Sequence, residues 1–122
     1  MNLETGDLLL FIPYWSCQEL LGKCVTYITS GKYCHSGIIL KDPIFIDPKL
    51  TGLYVLESTG LENVPDVSDN KIKLGVQLRE LKEVVANYQG EIYYRKIYCE
   101  RNDKFYKYLK QAYYKVYNKP YD

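Results

Sequence analysis

The run Leu8-Leu9-Leu10-Phe11-Ile12 constrains this chain more than any other feature. It is continuous and apolar, opened by Gly6-Asp7 and stopped by Pro13, which has no amide hydrogen to extend a ladder. Five apolar residues are too few for a helix and suit a strand covered on both faces. Such a strand needs neighbours for its backbone. His35-Ser36-Gly37-Ile38-Ile39-Leu40 alternates loosely and ends in Lys41-Asp42-Pro43. Leu53-Tyr54-Val55-Leu56-Glu57-Ser58 follows Thr51-Gly52 and is rich in β-branched and aromatic residues. Glu91 to Ile97 reads as another strand, Val76-Gln77-Leu78 as a short one, and Ile44 to Ile46 as a short edge strand.

Helical spacing occurs in three places. Cys17, Leu20, Leu21, Cys24, Val25 and Ile28 recur on one face, with Ser16 as N-cap and Gly31 past the end. Leu81 to Tyr88 forms a short helix ended by Gly90. Phe105, Tyr108, Leu109, Ala112, Tyr113 and Val116 mark one face of a last helix, capped by Asn102 or Asp103 and ended by Asn118 and Pro120. Together these predict an α+β fold with a mostly antiparallel sheet packed by helices. At 122 residues with 47% apolar side chains, the chain can close one core and is too short for two.

Sixteen basic and fifteen acidic side chains leave a formal charge of +1, so no global field draws the chain to nucleic acid or to an anionic membrane. Lys104, Lys107, Lys110 and Lys115 read as the solvated face of the last helix. Met1 to Phe11 carries Glu4 and Asp7 ahead of its apolar run and has no signal-peptide pattern. No stretch approaches the roughly 20 apolar residues of a transmembrane segment. A soluble, intracellular, cytoplasmic protein is expected. Cys17, Cys24, Cys34 and Cys99 lack the paired spacing of a zinc site or the density of a disulfide scaffold, and are expected to be free thiols.

His35, the only histidine, opens its strand, where one side of the ring can stay accessible while the strand fixes the other. Glu57 lies near the end of an otherwise apolar strand. If His35 pairs with Glu57, then Gly37 opposes Val55 and Ile39 opposes Leu53, all on one face. A carboxylate there can hold an imidazole in one tautomer and stabilise its charged form. The base then needs a nucleophile, and a thiol is the group an imidazole activates most. Cys34 points to the opposite face from its neighbour His35. Cys17, in the first turn of its predicted helix, is the internal candidate, although packing beside Cys24 is the favoured reading.

In order, Gly6-Asp7-Leu8-Leu9-Leu10-Phe11, a helix, Tyr33-Cys34-His35-Ser36-Gly37-Ile38-Ile39-Leu40 and Val55-Leu56-Glu57-Ser58 resemble the circularly permuted papain-like (NlpC/P60-type) cysteine hydrolases and acyltransferases. This group includes YiiX-like bacterial proteins and papain-like proteins of poxviruses and, more distantly, lecithin retinol acyltransferases. Val76-Gln77-Leu78-Arg79-Glu80-Leu81 and the tyrosine-rich last helix extend the resemblance over nearly the whole chain. It implies a single permuted domain over residues 1–122, with His35 and Glu57 as catalytic residues. The substrate would be a peptide amide or a lipid acyl ester, and no metal or organic cofactor is required. The likeness to poxvirus proteins admits a viral origin. In permuted relatives the nucleophilic cysteine opens a helix after the segment corresponding to Asn118-Lys119-Pro120-Tyr121-Asp122, where this chain stops. The expectation is a chain that lacks its nucleophile and is inactive alone, completed by a missing C-terminal segment or a second chain. The alternative is a binding domain or pseudoenzyme that keeps the fold.

Overall fold

The structure, a computed structural model, describes residues 2–14, 35–59, 65–72, 75–117 and 119. Over these described residues it is a mixed α/β fold: a five-stranded antiparallel sheet with two helices. The strands are β1 (Leu8–Pro13), β2 (His35–Lys41), β3 (Leu53–Thr59), β4 (Gly75–Glu80) and β5 (Gly90–Arg95). The helices are α1 (Leu81–Asn87) and α2 (Asp103–Val116). The sheet order is β4-β3-β2-β1-β5. The apolar run therefore sits inside the sheet, paired with β2 on one side and β5 on the other. The helix expected around Cys17 to Ile28 lies outside the described residues.

Strand alternation divides the apolar side chains between two faces. On one face Leu9, Phe11, Ile39 and Val55 pack with Leu3 and with Val84 of α1. On the other, Leu40, Leu50, Tyr54 and Leu78 pack with Leu109 of α2. Ile39 and Val55 are fully buried, and each such side chain contributes about 1.5–3 kcal/mol relative to exposure. Asn102 caps α2, its side chain accepting a 3.0 Å hydrogen bond from the Phe105 amide. Only part of the expected α2 stripe is covered: Tyr113 is buried, whereas Tyr108 and Val116 are exposed.

Two expectations are corrected. Residues Ile44 to Ile46 form a turn and not an edge strand: the Ile46 amide donates to the Pro43 carbonyl at 3.0 Å, a local bond that replaces cross-strand pairing. The β2–β3 register also differs by two residues, with Gly37 opposite Glu57, Ile39 opposite Val55 and Lys41 opposite Leu53. The connection sets it. The Asp42 amide donates to the Gly52 carbonyl at 2.7 Å and the Gly52 amide to Asp42 Oδ1 at 2.6 Å, so the ladder closes immediately beyond Lys41 and Leu53. Because the shift is even, every side chain keeps its face.

Where β1 begins, Gly6 adopts φ +98°, a left-handed conformation that a side chain would strain. Its amide donates to the Ile39 carbonyl at 2.8 Å. The adjacent Asp7 is wholly buried and its carboxylate takes four donors. Oδ2 accepts from the Glu4 amide at 2.9 Å and from Lys96 Nζ at 2.7 Å. Oδ1 accepts from the Ile97 amide at 2.9 Å and from Arg101 Nη2 at 3.1 Å. Burial pushes this carboxyl up, but the bonds from Lys96, Ile97 and Glu4 outweigh it and hold Asp7 below the usual aspartate range. Asp7 thus fastens the segment between β5 and α2 to the start of the sheet.

Candidate active site

β1 and β2 place Phe11 directly opposite His35, and their rings tilt against each other with centroids 4.9 Å apart. Tyr88 packs edge-on against the same Phe11 ring, also at 4.9 Å. The His35 side chain remains 27% exposed, whereas that of Glu57 is 4% exposed. His35 Nε2 and Glu57 Oε2 lie 2.7 Å apart. In the tautomer this favours, Nε2–H donates to the carboxylate and Nδ1 keeps a free lone pair. Nδ1 has no hydrogen-bond partner among the described residues.

The two residues are diagonal neighbours, and both side chains are long enough to bridge the gap between their strands. Diagonal positions on adjacent strands are about 7–8 Å apart, beyond direct reach of short side chains. Gly37 stands opposite Glu57 on the same face, and Val55 Cγ1 occupies the space that a side chain there would need. A methyl group at Gly37 would sit 2.7 Å from Val55 Cγ1 and 3.5 Å from Glu57 Cβ. Aspartate at position 57 would be shorter by one carbon–carbon bond, about 1.5 Å, and would fall short of the ring.

On the far side of Glu57, β4 contributes Gln77 directly opposite it and Arg79 one diagonal step away. Both are 1% exposed. Arg79 Nη1 lies 3.6 Å from Glu57 Oε1, an ion pair rather than a hydrogen bond. The face thus carries a polar row, His35–Glu57–Arg79, bordered by Phe11, Ile39 and Val55. Sequence reasoning missed Gln77 and Arg79. Flanked by Val76 and Leu78, they look like the solvated half of an alternating strand. The available signal was their i, i+2 spacing in the strand next to the one that carries Glu57.

Cys17, Cys24 and Cys34 lie outside the described residues. Cys99 is free and exposed. It follows β5, whose Arg95 pairs with Leu8, whereas His35 pairs with Phe11 at the opposite end of β1. Cys99 therefore does not share the site. Among the described residues no cluster of histidine, cysteine, aspartate and glutamate could hold a metal ion, and no helix is long and apolar enough to cross a membrane. No protein-family model, no curated protein and no solved structure matches the chain.

Proposed function

We propose that this chain carries the base half of a thiol-dependent hydrolase or acyltransferase site on a circularly permuted papain-like scaffold. His35 is its general base and acid, and Glu57 the carboxylate that orients it. The observation that carries the reading is the 2.7 Å contact of His35 Nε2 with a buried glutamate on a ring that is still partly open to solvent. A carboxylate on one ring nitrogen commits the other, Nδ1, to proton transfer and offsets the imidazolium charge as it forms.

The chemistry follows from that assignment. A thiol placed beside Nδ1 gives up its proton to the ring, and the thiolate attacks the carbonyl carbon of an amide or acyl ester in a peptide or lipid. The carbonyl electron pair moves to oxygen, which needs backbone amide donors. On collapse the leaving amine or alcohol takes the proton from Nδ1, and the acyl group stays on sulfur as a thioester. Water or an acceptor, deprotonated by His35, then releases the acyl group and restores the thiol. No metal enters this scheme, and a reducing cytoplasm keeps the sulfur reactive. The thiol would come from a segment beyond Asp122 or from a second chain.

The competing reading is a non-catalytic binding domain or pseudoenzyme that keeps the fold. The two readings are separated with a thiol-directed activity probe and a panel of esters and amides. Three polypeptides are compared: the chain itself, the longer polypeptide with any residues that follow Asp122 in its reading frame, and that polypeptide with His35→Ala. The proposal expects turnover and labelling only in the longer form with His35 intact. Equal turnover by the short and long forms would refute the account of where the thiol comes from, and inertness of all three would favour the binding domain.

A further inference from the structure

We infer that Arg79 is a positioning residue for His35, acting through Glu57: it supplies the buried counter-charge of the carboxylate and aims the second oxygen at the ring. The inference rests on the reading of Glu57 as the orienting carboxylate of His35.

Three observations carry it. The first is burial. A carboxylate with 4% of its side chain exposed has almost no water to stabilise its charge and depends on a counter-charge within the protein. Arg79, itself 1% exposed and always protonated, stands at ion-pair distance from it. The second is direction. Glu57 lies between two diagonal neighbours, one on each side of its strand, and each of its oxygens faces one of them: Oε1 faces Arg79 and Oε2 faces His35. Fixing Oε1 leaves little freedom for Oε2. The third is Gly37, directly opposite Glu57, which brings no side chain of its own to hold the glutamate from β2. Without an anchor on the β4 side, the carboxylate could swing along the sheet instead of pointing at Nε2.

A merely structural ion pair would affect folding stability and leave the ring alone. A positioning role instead changes how firmly the His35 Nε2–H is held. Because His35 is the only histidine, ¹⁵N labelling gives one unambiguous set of ring signals. At neutral pH the unmodified chain should show a downfield Nε2–H proton that exchanges slowly with water. Arg79→Met should move that proton upfield and speed its exchange about tenfold or more. Arg79→Lys, which keeps the charge but not the planar fork, should fall between the two. Leu40→Ala, which loosens the opposite face of the sheet, is the control for general destabilisation and should leave the proton close to its original position.

A slowly exchanging proton that is unchanged in both Arg79 variants would overturn the inference and leave the dyad standing. Absence of a protected Nε2–H in the unmodified chain would instead remove the dyad, and the inference with it. If Arg79→Met does not fold, Arg79→Lys decides: exchange equal to that of the unmodified chain overturns the inference, and faster exchange supports it.

Discussion

Replacing Asp7 by asparagine tests the internal anchor of the sheet. The aspartate accepts four hydrogen bonds, two on each oxygen, from the Glu4 and Ile97 amides and from Lys96 and Arg101. Asparagine has nearly the same shape but only one accepting oxygen, so two of the four donors would face an amide NH₂. Hydrogen bonds to charged groups contribute about 1.5–3 kcal/mol each, which sets the loss of two at about 3–6 kcal/mol. Lys96 and Arg101 keep part of their side chains in water and can rehydrate, so we expect the low end, about 3 kcal/mol, or a fall in melting temperature of roughly 12 °C for a domain of this size. The comparison is urea and thermal unfolding of both proteins across acidic and neutral pH. A carboxyl held below its ordinary range contributes its full stability above that range and loses it as pH falls through the lowered value. The gap should therefore be widest at neutral pH and close at the acid end as the native Asp7 takes up its proton. A gap below about 0.5 kcal/mol at neutral pH, or one that stays constant into strong acid, would refute the argument.

Gly37→Ala should destabilise the fold by about 1–3 kcal/mol, because the added methyl group overlaps Val55 Cγ1. Unchanged stability in urea unfolding would mean that Val55 moves aside at no cost. Cys99, being exposed, should react with an alkylating agent at the rate of an unhindered thiol, equally fast in the unmodified chain and in His35→Ala. A rate that depended on His35 would place Cys99 within the site after all.

Several parts of the fold were legible in local chemistry. Pro13 marks the end of β1, Asn102 caps α2, and β2 and β3 emerge where β-branched runs stand between turn residues. That His35 and Glu57 share a face was also legible, because the two-residue period of a strand ties side-chain direction to position and survives any even change of register. The register itself was not. It depends on how Asp42 and Gly52 close their connection, with Asp42 at φ +48° and Gly52 at φ +103°, a conformation that the intervening prolines do not announce.

The rest depended on which strands become neighbours. By sequence alone, the order and type of the five strands and two helices described, a single histidine at a strand mouth and one acidic residue in an apolar strand were determined, since these follow from interactions between residues close along the chain. Only the tertiary structure decided that β4 lies beside β3 and so turns Gln77 and Arg79 inward against Glu57. It likewise decided that Asp7 meets Lys96 and Arg101, about ninety residues away. The physical reason is the same in both cases. Whether a polar side chain in an alternating strand faces water or a buried partner depends on what covers that face, and long-range pairing sets the cover.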